Sequence, residues 1–195
     1  MLSEIEKKAV RTAEGPCMVV ATSAEGRAFL VARVAHLFGN GVASKEVLVL
    51  ASSVLAAETA RKDITETAGV TSALPRITTF HALSEELVER HADLLGIKED
   101  VRSMAPDKTI MYAQRLLGTD PILRNHYGKQ VRYLLVNDFN ALSASELAIV
   151  DLLGSAWRNI CVIGQREHAR TLFDAGADCF ETFKAQYIHG TEIIL

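Results

Sequence analysis

Short, largely apolar runs recur along this chain and are bounded by turn residues. They cover residues 17–21, 47–51, 77–80, 133–136, 160–163 and 193–195. Runs of this length without polar alternation are typical of strands that are buried on both faces. Helical patterns lie between them, so the sequence predicts an α/β fold in which helices cover both faces of a parallel sheet.

Two of the intervening segments carry clear helix signals. Residues 53–68 place apolar side chains at helical spacing, and residues 143–153 open with the Ser-x-x-Glu capping box of Ser143 and Glu146. Residues 84–130 break the alternation, since they contain helical pieces separated by glycine and proline but no convincing strand. We therefore expect one domain over residues 1–195, with a short helical insertion at 84–130 between the third and fourth strands.

Composition narrows the possible classes of function. The chain is 49% hydrophobic, enough to bury a core, and its formal charge of −3 gives no overall basic character for nucleic-acid binding. The three cysteines lack metal-ligand spacing, and their odd number argues against a disulfide framework. No run approaches the roughly 18 apolar residues of a membrane span, and the N-terminus lacks a signal-peptide pattern. We expect a cytoplasmic, reduced protein with no metal site and no membrane contact.

The first predicted strand leads into the frame of a phosphate-binding loop. Residues 21–28 follow that strand, and a helix-like stretch covers residues 29–38. In a working loop of this kind, a lysine reaches the β- and γ-phosphates and the next hydroxyl residue holds Mg²⁺. Here Arg27 and Ala28 occupy those positions, and Glu25 brings a carboxylate to where phosphate should lie. The sequence therefore predicts that the loop architecture is kept while its chemistry is lost.

Further motifs follow in a fixed order. They are Thr79-Phe80-His81-Ala82-Leu83, Leu135-Val136-Asn137-Asp138-Phe139, Val162-Ile163-Gly164-Gln165 and Gly176-Ala177-Asp178. Together with the loop frame, this order resembles the first RecA-like domain of superfamily-1 DNA helicases of the UvrD/Rep/PcrA type, over nearly the whole chain. The Thr-Phe-His-x-Leu and Leu-Val-x-x-Phe elements are the most specific matches.

The resemblance implies a nucleotide site whose chemical positions have all changed. The family's adenine-contacting glutamine corresponds to Glu6, and its Walker B Asp-Glu pair corresponds to Asn137 and Asp138. We expect this pair to end the strand beside the first strand and to face the same crevice as the loop. Its next motif, Gly-Asp-x-x-Gln, corresponds to residues 164–168, with Gln165 and His168 at the altered positions. The vestigial phosphate-loop positions are Thr22, Ser23, Ala24, Glu25, Gly26, Arg27 and Ala28. We expect no catalytic residue here and no bound ATP or Mg²⁺.

The altered positions are those that would hold Mg²⁺ and position the attacking water. Ala28 and Asn137 each remove a ligand from one Mg²⁺ shell. Asp138 is one methylene shorter than glutamate, and a ~1 Å displacement of the attacking water can cost about 10²-fold in rate. A rival hypothesis retains ATP and Mg²⁺: the chain would then be the ATP-binding lobe of a DNA helicase or DNA-dependent ATPase that works with a missing second lobe.

The DNA-facing positions implied by the resemblance are less altered. They are Ser53, Thr79, Phe80 and His81, where the family contacts single-stranded DNA by stacking and phosphate hydrogen bonds. Phe80 fits equally well as a core residue at the end of a strand, and His81 fits equally well as a capping or core histidine.

In the resembled family, the last strand leads into a second RecA-like domain, which is absent from this sequence. The sequence does not separate a piece of a longer helicase from a protein with a single lobe. A lone lobe would expose the carboxyl-end face of its sheet, including Phe80 and His81. We therefore expect a protein partner or self-association over that face, with weak binding of single-stranded DNA.

Overall fold

Six parallel strands form the central sheet in the computed structural model, which describes residues 4, 7–8, 14–67, 74–165, 171–172 and 177–195. Within these residues the strands are β1 (Cys17–Val20), β2 (Val47–Ala51), β3 (Arg76–Thr79), β4 (Tyr133–Val136), β5 (Ile160–Gly164), β6 (Thr171–Leu172), β7 (Ala177–Asp178) and β8 (Thr191–Ile194). The sheet has the order β3-β2-β4-β5-β1-β8, and β6 and β7 form a separate antiparallel pair. All five strand pairings of the main sheet are parallel.

The helices fill the connections between these strands. They are α1 (Ser23–Gly39), α2 (Val54–Thr67), α3 (Phe80–Arg90), α4 (Ala92–Leu95), α5 (Pro106–Thr119), α6 (Pro121–Gln130), α7 (Ala144–Gly154) and α8 (Cys179–Gln186). Helices α3 to α6 all lie between β3 and β4, in the stretch where the sequence predicts helical pieces and no strand. Helix α5 packs between α3 and α7.

Two hydrophobic cores lie on opposite faces of the sheet. Along β2, Leu48 and Leu50 belong to one core, while Val47, Val49 and Ala51 belong to the other. This division follows from the two-residue period of a strand. Side chains of α3, α5, α7 and α8 cover the first face, and side chains of α1 and α2 cover the second. The predicted α/β fold with helices on both faces is therefore confirmed.

The end of β3 differs from the prediction. The apolar run suggests a strand that includes Phe80, but β3 ends at Thr79, which caps α3 by accepting a hydrogen bond from the Ala82 amide at 3.1 Å. Threonine is a favourable N-cap because its hydroxyl satisfies an amide that the helix leaves unpaired. Phe80 thereby becomes the first residue of a helix. Within the described residues, no helix has the length and apolar character needed to cross a membrane.

Candidate functional site

A cleft of about 250 Å³ opens at the carboxyl edge of the sheet, beyond the ends of β1, β4 and β5. In open parallel sheets, ligands bind outside this edge. The lining is contributed by four chain segments: Ala21, Thr22, Ser23, Gly26 and Arg27; Ser53, Leu55, Ala56 and Thr59; Asn137, Asp138 and Asn140; and Ile163, Gly164 and Gln165. The fold thus brings the phosphate-loop and Walker B positions together, as the resemblance requires. Glu6 and His168 lie outside the described residues.

The expected phosphate loop is replaced by helix. The sequence predicts a loop over residues 22–27 and a helix from residue 29, but α1 begins at Ser23, and only Ala21 and Thr22 separate it from β1. Thr22 has the extended backbone of an N-cap, with φ −64° and ψ 162°. The motif Thr22-Ser23-Ala24-Glu25 satisfies the capping-box pattern, which favours helix over an open loop. The predicted loop is therefore wrong, and the reason is local capping chemistry.

Glu25 closes the N-terminus of α1. Its Oε2 accepts hydrogen bonds from Thr22 Oγ1 at 2.6 Å and from the Thr22 amide at 3.1 Å, while the Glu25 amide donates to Thr22 Oγ1 at 3.4 Å. These bonds from the Thr22 side chain and backbone hold the pKa of the Glu25 carboxyl below its ordinary value of 4.5, with a smaller contribution from Lys8. A negative charge at this position also interacts favourably with the helix dipole.

Backbone donors that could cradle a phosphate are already engaged. The Ala21 amide donates to Gly164 O at 3.0 Å, and the Gly26 amide donates to Thr22 O at 2.8 Å as the first turn of the helix. The Thr22 and Glu25 amides are held by the capping box. A phosphate-binding loop holds its ligand through several inward-pointing backbone amides. In this segment four backbone amides donate to other atoms of the protein instead.

Gly26 and Arg27 have roles different from those of a phosphate loop. Gly26 is buried within α1, where an added Cβ would lie 3.0 Å from Ile163 Cγ2, so the glycine lets α1 lie close against β5. Arg27 occupies the lysine position of the family pattern. Its Nε lies 3.7 Å from Asp63 Oδ2 on α2, and both side chains are partly exposed. The cation at this position is thus directed at a neighbouring helix.

The Walker B positions lie one strand further from β1 than expected. Asn137 and Asp138 follow β4, and β5 stands between β4 and β1, so the expectation that their strand adjoins the first strand is wrong. Both residues nevertheless line the same cleft as Gly26. Asn137 is 8% exposed, and its backbone amide donates to Leu50 O at 2.9 Å. Asp138 adopts a left-handed backbone with φ 55°, which aspartate tolerates better than most residues.

Asp138 is held by two neutral donors. Ser52 Oγ donates to Asp138 Oδ2 at 3.0 Å, and Asn137 Nδ2 approaches the same oxygen at 3.4 Å. Sequence reasoning missed Ser52, although its position directly after β2 places it at the same edge of the sheet. The observed partners fix the carboxylate without neutralising its charge.

Asn140 is a second residue that sequence reasoning missed. Its Oδ1 accepts a hydrogen bond from the Gln165 amide at 3.0 Å, and the Gln165 side-chain amide in turn donates to Ser23 Oγ. This chain of contacts joins the segments after β4, β5 and β1. The signal available in sequence was only a polar residue soon after a buried strand. Gln165, by contrast, was predicted and lines the cleft.

The four residues predicted to face DNA have different environments in the structure. Phe80 is 1% exposed and belongs to the core beneath α3, so its ring cannot stack on a base without unfolding part of the domain. The core interpretation of Phe80 holds, and its expected exposure on a lone lobe is wrong. Thr79 caps α3 and Ser53 Oγ accepts from the Ala56 amide at 3.2 Å, so both hydroxyls serve helix starts. His81 lies half-buried in the first turn of α3.

At the positions compared with the family's nucleotide site, Arg27 is paired with Asp63, Ala28 follows it, and Asn137 and Asp138 follow β4. Among the described residues, no group of three or more histidine, cysteine, aspartate or glutamate side chains is placed to hold a metal ion.

Comparisons with known proteins identify the family from the sequence and support the fold from a solved structure. The family model of the UvrD/REP helicase N-terminal domain matches residues 2–109. Among solved structures, Pif1 helicase from Candida albicans aligns with the whole chain at 13% identity and a TM-score of 0.54, and the chain spans 39% of the length of that protein. At this identity the likeness concerns the fold alone. The search of curated proteins returned no match. Since the family match covers more than half of the chain, this protein belongs to the UvrD/REP helicase N-terminal domain family.

Proposed function

We propose that this helicase-like domain does not hydrolyse ATP and acts as a binding or interaction module. The observation that carries the proposal is the capping box between Thr22 and Glu25. It turns the phosphate-loop segment into helix and places a carboxylate where a polyanion would have to bind. Another carboxylate, that of Asp138, follows β4 and lines the cleft.

Electrostatics and space both support this proposal. A nucleoside triphosphate would be repelled by the negative charges of Glu25 and Asp138, without the lysine and Mg²⁺ that normally offset its own negative charge. The cleft volume of about 250 Å³ is also below the ~300–1,000 Å³ typical of small-molecule sites. Weak nucleotide binding would therefore require rearrangement of the first turn of α1.

Calorimetry with Mg-ATP and Mg-ADP tests the proposal directly. We expect no binding heat at millimolar nucleotide, and no phosphate release above background with or without single-stranded DNA. Saturable Mg-ATP binding by the unaltered protein would contradict the proposal. It would favour the rival hypothesis of an ATP-binding lobe that works with a second lobe of a DNA helicase.

Two variants that carry the family's residues test separately whether the capping box excludes the nucleotide. The first carries Arg27→Lys, Ala28→Thr, Asn137→Asp and Asp138→Glu, and the second adds Glu25→Ser. We expect Mg-ATP binding only in the second variant, because the first keeps the Glu25 carboxylate at the helix N-terminus. Equal binding by both variants would show that the missing ligands, and not the cap, exclude the nucleotide.

Partner binding over the cleft face is part of the proposal. Val54 and Leu55 at the start of α2 are 66% and 73% exposed, and Leu55 lines the cleft. Adjacent exposed apolar side chains beside a concave site favour a protein contact. Light scattering tests self-association. Any binding of single-stranded DNA should be weak and should fall steeply with salt, because it would rest on phosphate contacts.

A further inference from the structure

The central sheet is open, and a cationic side chain lies on each of its two edges. The edge strands are β3 and β8. The edge of a sheet is a template on which another chain can add a strand, so soluble proteins protect their edges in specific ways. Here one backbone carbonyl on each edge strand accepts a hydrogen bond from a lysine or an arginine of another segment.

The edge of β8 is occupied by Lys8. The Leu195 amide donates to Val20 O at 2.9 Å, so the backbone groups of residue 195 face β1. Because backbone groups alternate in direction along a strand, those of Ile194 point away from β1. Lys8 Nζ donates to Ile194 O at 2.8 Å. The lysine therefore takes an acceptor that an added strand would need.

The edge of β3 has the same arrangement. The Asn137 amide donates to Leu50 O, so Leu50 faces β4 and its neighbour Val49 faces β3. Val49 is the register partner of Ile77, and in a parallel ladder a residue bonds to the two neighbours of its register partner. The backbone groups of Ile77 consequently face outward. Arg61 Nη2, from α2, donates to Ile77 O at 3.0 Å.

A second copy of this chain is the strand donor that fits each edge. Two identical edges can pair in antiparallel order about a two-fold axis. An axis through Ile193 would set Ile194 of one copy opposite Glu192 of the other, and the pairing would need Ile194 O as an acceptor. The Ile194 side chain is 65% exposed and does not itself cover this edge. Pairing of β3 with β3 about Ile77 would likewise need Ile77 O.

We infer that Lys8 and Arg61 block the two edges of the sheet against strand pairing with a second copy of this chain. Each cation satisfies the carbonyl that pairing would use, and a charge enclosed between two strands would lose its hydration at a cost in free energy. Charged side chains, lysine above all, protect edge strands in this way in other sheets. Neither residue is among the described residues that line the cleft, so the inference is independent of nucleotide binding.

Methionine variants of the whole chain test the inference. Lys8→Met and Arg61→Met keep an unbranched side chain and remove the donor. Lys7→Met and Lys62→Met are the matched controls, because each removes the adjacent charge, which is in an ion pair within its own segment. Light scattering over a concentration series should show association at least about tenfold tighter in the first two variants than in the parent and the controls.

The size of the assemblies provides a second measurement. Each single variant opens one edge, and a two-fold pairing then closes on itself, so we expect dimers. The variant that carries both Lys8→Met and Arg61→Met opens two edges per copy and should form assemblies of more than two copies.

Amide hydrogen exchange distinguishes strand pairing from association over the cleft face. In the dimers, exchange should slow at least about tenfold at the Ile194 amide of Lys8→Met and at the Ile77 amide of Arg61→Met. Equal association of the controls, association of neither Lys8→Met nor Arg61→Met, or dimers without slower exchange at these amides would each overturn the inference. None of these results bears on ATP hydrolysis, which calorimetry and phosphate release test separately.

Discussion

Glu25 Oε2 lies 2.6 Å from Thr22 Oγ1 and 3.1 Å from the Thr22 amide nitrogen, at the start of the helix that follows β1. In a phosphate-binding loop, that helix start faces a polyanion. Here Glu25, in the first turn of the same helix, supplies the negative charge and accepts the hydrogen bonds. The first turn of α1 is consequently complete without a ligand.

The cap makes stability depend on pH through Glu25. Because its pKa is lower in the folded chain than its ordinary value of 4.5, the unfolded chain binds the proton more readily. The stabilisation is therefore present above about pH 4.5 and is lost as the pH falls through the folded value. Melting temperatures from pH 7 to pH 3 should show a gap between the parent and Glu25→Gln that narrows below pH 4.5.

Thr22→Ala tests the other partner of the cap. Loss of an N-cap hydroxyl typically costs about 1 kcal/mol, so we expect a lower melting temperature at neutral pH.

Glu58→Gln is the control for Glu25→Gln, because Glu58 is exposed on α2 and its charge should contribute little to stability at any pH. A gap between the parent and Glu25→Gln that stays constant to pH 3 would contradict this account of the cap.

The four inner strands of the sheet, β2, β4, β5 and β1, were predictable from sequence because they are apolar on both faces. Runs such as 47–51 and 133–136 match β2 and β4 residue for residue. The start of α1 was not predicted, since the loop frame of residues 21–28 suggested open backbone and the capping box within it was overlooked. Pairing between segments was also out of reach: nothing in the local sequence joins Ser52 to Asp138, or Asn140 to Gln165.

Phe80 should matter for stability and not for DNA. Phe80→Leu removes part of a ring that is 1% exposed, and we expect a loss of roughly 1–2 kcal/mol in the free energy of unfolding. A stacking residue would instead contribute about 1–3 kcal/mol per base to binding. Fluorescence anisotropy with labelled single-stranded DNA should give equal affinities for Phe80→Leu and the parent. A selective loss of DNA affinity at unchanged stability would restore Phe80 as a base contact.

Ser84 offers a stabilising substitution. Its side chain is 0% exposed on α3, and its hydroxyl has no hydrogen-bond partner among the described residues. Ser84→Ala removes that uncompensated group, so we expect a gain of about 1 kcal/mol and a melting temperature higher by about 2–4 °C. Ser145→Ala, at a partly exposed position of α7, controls for helix propensity and should gain less.

The three cysteines should be inert in the folded protein. All are buried and none is in a disulfide. Burial raises the pKa of Cys179 to about 11, and the neighbouring Cys17 thiol together with burial raises that of Cys161. Because the thiolate is the reactive form, an aromatic disulfide reagent at pH 8 should titrate three thiols in denaturant and none promptly without it. Prompt reaction of the native protein would show that one of these sites opens readily.

Gly164 ends β5 and lines the cleft, where Asn140 from the segment after β4 leaves no room for a side chain. An added Cβ would lie 2.7 Å from Asn140 Oδ1 and 2.9 Å from the Asn140 amide nitrogen. Gly164→Ala must therefore displace Asn140, and we expect a loss of roughly 1–3 kcal/mol in urea denaturation. Gly118→Ala on α5 is the matched control, because a Cβ there meets nothing within 4 Å and should be neutral or stabilising by up to about 1 kcal/mol.

An NMR measurement locates the displacement. Since Asn140 Oδ1 accepts from the Gln165 backbone amide, the signal of that amide should move in Gly164→Ala and stay in place in Gly118→Ala. Equal stability of the two variants would mean that Asn140 can shift freely, and this part of the cleft would then be more adaptable than its hydrogen bonds indicate.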